Sequence, residues 1–381
     1  MKILILLSRV DQTGMTTHTL DLGTELIRMG HEVVLLTGGP VYKNNEQINI
    51  LYKKFLSAGF KVKRFLIPKV EDDKDGIYWK IKNTSVKAIG VLTTLRYLIF
   101  TQCDVIHAES PYMSFIPWLL RKKFVSSCHV TDLPPRIFYK NATHLIAVSE
   151  ETKNYAMRVH GYKEENVTKI TYGIPLHFSS RLSLHERDII KENYGVPKNK
   201  IIIGLVGSIE KRKGHDLLLE AFSKLPQKIK DKSMILFLGS SKDYKTVEWL
   251  VEEINKYNLE DFVLKFEFQD PVNFYRIMDI FVLPSRLEGF AIVVIEAMFS
   301  GCCVIRSDTE GAIDQIENGI NGLIFQNENT DQLSDYLEKV ISDEVYRKQL
   351  ADAGREKALN SFTSGIMAKK TLEVYQKTIK R

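Results

Sequence analysis

Short apolar runs of strand length alternate with amphipathic helical stretches along this chain, and the series runs twice. That alternation is the strongest constraint on the fold, because strands separated by crossover helices pair in parallel. In the first series residues 2–7 read as a strand. A polar loop over 8–17 contains Gly14, and a helix over 18–29 follows it. Gly30 stops that helix. Strands over 31–37, 61–67, 105–107, 124–129 and 144–149 continue the series. The second series has strands over 201–207, 234–239, 262–266, 280–283 and 303–306. Helices over 216–225, 245–257, 271–278, 331–341 and 344–360 lie between or after them. The expected class is α/β, with two doubly wound Rossmann-like domains facing a cleft and ligands at the carboxyl ends of the strands.

The length of 381 residues also exceeds what one core usually holds. The join is Tyr172-Gly173-Ile174-Pro175 with the polar segment to Ser183, so the domains read as 1–175 and 184–361. Hydrophobic residues make up 44% and charged residues 26%, a globular balance. No apolar run reaches about 18 residues, so no membrane span is expected. The apolar start is too short for a signal peptide and meets Ser8-Arg9, so it reads as a buried strand. Cys103, Cys128, Cys302 and Cys303 lack metal-ligand spacing. Cys302 and Cys303 read as small core residues, and a reduced cytoplasmic setting is expected.

Charge is uneven. Residues 1–172 hold 24 Lys/Arg against 16 Asp/Glu, an excess of +8, and the remainder carries −2. A basic first half points to an anionic partner, such as a phosphate-bearing lipid or the inner face of the plasma membrane. The segment 77–100 mixes aromatics with Lys80, Lys82 and Lys87, as an interfacial helix does and as a core helix with a basic outer face also does. No nucleic-acid motif is present, and no nucleic-acid partner is expected.

The densest chemistry lies in Leu287-Glu288-Gly289-Phe290-Ala291-Ile292-Val293-Val294-Ile295-Glu296. It follows an apolar strand and the turn Pro284-Ser285, and it precedes Ala297-Met298-Phe299-Ser300-Gly301. The pattern predicts a helix from about Phe290 whose first-turn amides are free to meet an anion. Glu288 stands at its mouth and Glu296 about two turns on, about 12 Å at a rise of ~1.5 Å per residue. Glu296 is flanked by apolar residues, and a buried carboxylate needs partners such as ribose hydroxyls. A glycosidase pair would stand about 5–9.5 Å apart, and it would not need a basic loop. The acidic run 71–75 reads as a solvated loop rather than a metal motif.

Three segments of the second half then line up in order. They are Gly207-Ser208-Ile209-Glu210-Lys211-Arg212-Lys213-Gly214, the Glu288–Glu296 stretch, and Gly311-Ala312-Ile313-Asp314-Gln315-Ile316 with Asn318-Gly319-Ile320-Asn321-Gly322. With the Gly14 loop and the helix exit at Gly30-His31-Glu32-Val33, the chain resembles the retaining GT-B glycosyltransferases of the large "group 1" family over nearly its whole length. It departs at Ser208, where members often carry arginine, and at Asp314, where many carry glutamate.

The resemblance implies transfer of a sugar from a nucleoside diphosphate sugar to an acceptor hydroxyl with retention, in glycolipid or cell-surface polysaccharide synthesis. It implies that Lys213 pairs with the diphosphate, with Ser208 and Arg212 in the same loop and Arg212 as the candidate second cation. Glu288 would bind hydroxyls of the transferred sugar. Amides of Gly289, Phe290 and Ala291 would meet sugar or phosphate, and Glu296 the ribose. Gly14 would let the first loop approach the diphosphate. His129 would line the transferred sugar, and His107 and Glu109 the acceptor side. His18 reads as facing the loop. No metal and no other cofactor is implied, and residues 362–381 would cross back to the first domain. A sugar-nucleotide 2-epimerase and a non-catalytic GT-B sugar-binding subunit are the alternatives.

Overall fold

The computed structural model describes residues 1–381 except 12, 41–45, 67–76, 132–140, 242–243 and 381. The acidic run 71–75 therefore lies outside the described residues. The chain divides into two compact units: Met1–Gly173 with Ser364–Arg381, and Ile174–Thr363.

In the first unit seven parallel strands form one sheet. They are β1 (Lys2–Leu7), β2 (Glu32–Thr37), β3 (Lys61–Arg64), β4 (Val105–Ala108), β5 (Val125–Cys128), β6 (His144–Ala147) and β7 (Val167–Lys169), in the order β3-β2-β1-β4-β5-β6-β7. β1 pairs Lys2 with Glu32 on one side and Ile3 with Val105 on the other. Its residues Ile3 to Leu7 are wholly buried, as expected of a central strand covered on both faces. At the edge, β3 carries Lys61, Lys63 and Arg64, charges that discourage pairing with another chain. The C-terminal helix, Ser364–Lys380, packs on the helix Gly14–Arg28 and on β4. Its Met367, Ala368, Val374 and Tyr375 enter the core with Ile3, Leu22 and Val33.

The second unit repeats the plan with β8 (Ile201–Val206), β9 (Ser233–Leu238), β10 (Val263–Phe266), β11 (Ile280–Leu283), β12 (Cys303–Ser307) and β13 (Leu323–Phe325). The order is β10-β9-β8-β11-β12-β13, again all parallel. In both sheets the strand order reverses beside the first strand, between β1 and β4 and between β8 and β11. These switch points open a crevice at the carboxyl ends of the strands.

The helix expected over 18–29 starts four residues earlier, at Gly14. Asp11 accepts hydrogen bonds from the hydroxyls of Thr13 (2.6 Å) and Thr16 (2.9 Å), organising a helix start in a stretch whose Gly and Thr residues have low helix propensity. Strands β7 and β13 have three residues each, too few to show a period. Cys302 and Cys303 are free and buried. No described helix is long and apolar enough to cross a membrane.

Candidate active site

In the second unit the basic loop leaves β8 and makes a short 3-10 turn, Lys211–Lys213, before Gly214. Gly214 has φ +73°, and a Cβ there would run into the carbonyl oxygen of Pro284, after β11. Only glycine lets the two loops at the switch point press together. Arg286 clamps them. It donates to both carboxylate oxygens of Asp216 (3.0 and 2.8 Å), to Glu328 (2.7 Å) and to the Lys211 carbonyl (2.6 Å). The motif reading missed Arg286, because nothing in the sequence shows that the loops after β8 and β11 touch.

The clamp gathers the cations on Glu288. Lys213 Nζ stands 2.6 Å from Glu288 Oε1, and Arg212 stands 3.6 Å from the same oxygen. Arg212 also donates to the Leu287 carbonyl (2.9 Å) and to Glu210 (2.7 Å), which accepts from Ser208 (2.7 Å) as well. Arg212 therefore turns toward Glu288, beside Lys213. Burial alone would push the Glu288 carboxyl up, but Lys213 and then Arg212 outweigh it and hold the group below its usual range.

The helix beyond begins at Ile292, not Phe290. Glu288 thus lies in the loop four residues ahead of it, and the ~12 Å reckoning, which laid both glutamates on one helix, does not apply. Gly289, Phe290 and Ala291 form the approach. Ala291 at the N-cap supplies no side-chain acceptor for the amides of Ile292 and Val293, while the Val294 amide donates to the Ala291 carbonyl (3.2 Å). The approach is braced from the third motif. Gln315 donates to the Ala291 carbonyl (2.9 Å), and the buried Arg306 donates to Gln315. Gly311, at φ +75°, has the Gly289 carbonyl so near that a Cβ would come within 2.7 Å of it. Further along the helix, Glu296 is 8% exposed, and its Oε2 accepts a 2.7 Å bond from the buried Tyr275 hydroxyl. Burial pushes the Glu296 carboxyl up to about 7, against the opposing effect of the tyrosine.

In the first unit, the carboxyl ends of β1, β4 and β5 bring three histidines around Glu109, which is fully buried. His129 Nε2 lies 3.2 Å, His18 Nε2 3.7 Å and His107 Nδ1 3.8 Å from its carboxylate. Burial pushes His18 down to about 4, so its approach to Glu109 is that of a neutral imidazole rather than an ion pair. Burial likewise pushes His107 down. For Glu109 burial acts upward, and the neighbouring imidazoles of His107, His18 and His129 prevail and hold it well below the usual carboxylate range. His107 has zero exposure and bonds Tyr375 (2.7 Å) and Ser127 (2.7 Å) through its two ring nitrogens. His107 and Glu109 thus stand behind the surface rather than on it. His129 Nδ1 meets the Tyr172 hydroxyl at 2.6 Å. Gly14 is the first residue of the helix Gly14–Arg28, whose N-cap Thr13 makes no side-chain cap bond, and His18 lies one turn on. The expectation that His18 faces the loop is corrected, since the earlier helix start turns it inward. Tyr172, Tyr375 and Ser127 join this network through tertiary contacts that leave no sequence signal.

The chain is similar to known proteins in sequence and in fold. The family profile described as "Glycosyl transferases group 1" matches residues 186–357, and that of "Glycosyltransferase Family 4" matches residues 12–178. An uncharacterized glycosyltransferase of Methanocaldococcus jannaschii is 24% identical over 95% of this chain and 94% of its own. A capsular polysaccharide biosynthesis glycosyltransferase of Staphylococcus aureus is 28% identical over 63% of each chain. An Anabaena protein solved in complex with UDP has the same fold, with a TM-score of 0.79 at 18% identity, covering 99% of this chain and 100% of that one. Two doubly wound parallel sheets, and two family profiles that together span most of the sequence, make this chain a GT-B glycosyltransferase of the group 1 family.

Proposed function

We propose that this enzyme moves a sugar from a nucleoside diphosphate sugar to an acceptor hydroxyl with retention, in the synthesis of a glycolipid or cell-surface polysaccharide. The observation that carries the reading is the gathering of Lys213 and Arg212 on Glu288, ahead of open first-turn amides at Ile292. A diphosphate competing for the ammonium would free the Glu288 carboxylate for sugar hydroxyls. Amides of Gly289, Phe290 and Ala291 would meet sugar or phosphate, Glu296 the ribose, and Gly14 the diphosphate. His129 would lie beside the transferred sugar. In this scheme the bond from the anomeric carbon to the leaving phosphate breaks while the acceptor oxygen attacks the same face, and the acceptor proton passes to a leaving phosphate oxygen. Lys213, Arg212 and the helix amides stabilise the departing charge without a metal.

The acceptor reading has two supports. The first unit as folded holds 29 Lys/Arg against 17 Asp/Glu, an excess of +12, because the C-terminal helix adds to it. Its helix Ile77–Phe100 also exposes Leu92, Ile99 and Phe100, and Ile99 shares a surface cavity with Lys2 and Lys122. The side chains of Lys80, Lys82 and Lys87 lie outside the described residues. A lipid-linked or membrane-borne glycan, approached at an anionic bilayer, suits such a surface.

A thermal-shift screen of sugar nucleotides, UDP-sugars first, tests the donor half. A ligand at about 100 times its dissociation constant adds about 2.7 kcal/mol. Transfer to lipid-linked and glycan acceptors, with the product anomer read by NMR and with chelator present, tests the rest. An inverted product rejects retention. Loss of activity to chelator and its recovery with manganese reject the metal-free scheme. Binding without turnover over many acceptors turns the reading to a sugar-binding subunit, and a product from donor alone turns it to an epimerase.

A further inference from the structure

Glu109 is a charged group in an expensive place. It has zero exposure, and among the described residues its Oε1 has no hydrogen-bond partner. A carboxylate in the interior with one oxygen unsatisfied costs stability, whereas a neutral side chain of that shape would cost less. Such costs are kept where a side chain serves a site.

What the carboxylate does follows from its neighbours. His107 is held by Tyr375 and Ser127, and His18 is 3.7 Å away and neutral. Among the described residues only His129, at 3.2 Å, comes within hydrogen-bond reach. An ionised carboxylate accepts and cannot donate, so His129 Nε2 must carry a proton. In the neutral ring its Nδ1 then accepts from the Tyr172 hydroxyl at 2.6 Å. The carboxylate thereby selects one tautomer of His129 and fixes the plane of its ring.

We propose that Glu109 is a positioning residue of the transfer reaction, which locks His129 in the Nε2–H tautomer and in one orientation at the end of β5. It touches no substrate and acts through His129. This rests on the reading that His129 lies beside the transferred sugar, and it replaces a direct acceptor contact for Glu109.

Glu109→Gln keeps the shape and removes the charge that dictates the tautomer. The ring nitrogens of His129, followed by 15N NMR in the full chain, should show protonated Nε2 and accepting Nδ1 in the wild type. In Glu109→Gln they should show a tautomer mixture. Turnover should fall roughly tenfold to a hundredfold, the scale for partners that orient a working histidine, with KM for the donor within about twofold. Tyr172→Phe removes the other partner of the ring and leaves the carboxylate, so the Nε2–H form should persist in it. A wild type protonated at Nδ1, or a Glu109→Gln protein that keeps the pure Nε2–H form, overturns the proposal whatever the rate. A lost tautomer with unchanged turnover instead removes His129 from the reacting centre, and the positioning role goes with it. Should Glu109→Gln not fold, the wild-type and Tyr172→Phe spectra decide. Loss of the Nε2–H form in Tyr172→Phe assigns the tautomer to the tyrosine and overturns the proposal.

Discussion

Lys213 and Glu296 show how one residue type takes its meaning from a partner. Lys213 sits in a run of three basic residues that also has the look of a solvated patch, and its 2.6 Å approach to Glu288 is what sets it apart from Lys211. Replacing Lys213 with alanine should cut turnover by about 10²–10³, as loss of a charge-stabilising donor does. Arg212→Ala is the comparison, and a larger loss there would make Arg212 the principal cation. Glu296 was legible as a carboxylate in an apolar helix, but its protein partner, Tyr275, was not. Its carboxyl is pushed up to about 7 from the ordinary 4.5, so the folded chain holds that proton more tightly than the unfolded chain. The associated stability is complete below about pH 4.5 and drains away as pH rises through 7. Glu296→Gln, which cannot ionise, should therefore gain on the wild type by up to about 3 kcal/mol between pH 4.5 and 8. Paired denaturation curves at the two pH values check this, and a constant gap would mean that Glu296 ionises freely.

At the scale of elements, the strands were the most legible part. β1 and β11 stand where their apolar runs place them, because a strand buried on both faces is a continuous run. Helix starts were less legible. The helices at Gly14 and Ile292 begin respectively earlier and later than periodicity suggests, since loop contacts set both starts. The loop after β8 holds its shape because Gly214 passes under Pro284 in the left-handed region. Gly214→Ala should cost at least about 1–3 kcal/mol in urea unfolding and weaken nucleotide binding as well. A variant with wild-type stability and affinity would show that the loop can shift without cost.

For the whole molecule, tertiary assignment sharpens the charge asymmetry. Sequence halves differ as +8 and −2, whereas the folded units carry +12 and −6, because Ser364–Arg381 belongs with the first. The basic unit should draw the protein to anionic vesicles, each well-placed basic residue contributing up to about 1 kcal/mol. Co-sedimentation should fall between 0.1 and 1 M salt, as the Debye length shrinks from ~10 to ~3 Å. Phe100→Ser with Arg96→Glu should weaken it further. Protein left in the supernatant at low salt would favour a soluble acceptor. By itself the sequence determined the two parallel sheets and the positions of the Lys213, Glu288 and Glu296 motifs, because strand burial, helix periodicity and glycine turns are local patterns. Only the tertiary structure decided that Arg286 clamps two loops, that Tyr275 meets Glu296, and that Tyr172, Tyr375 and three histidines enclose Glu109. Those partners are up to 268 residues apart along the chain, as His107 and Tyr375 are, and nothing in a local pattern records which strand ends a parallel sheet will bring side by side.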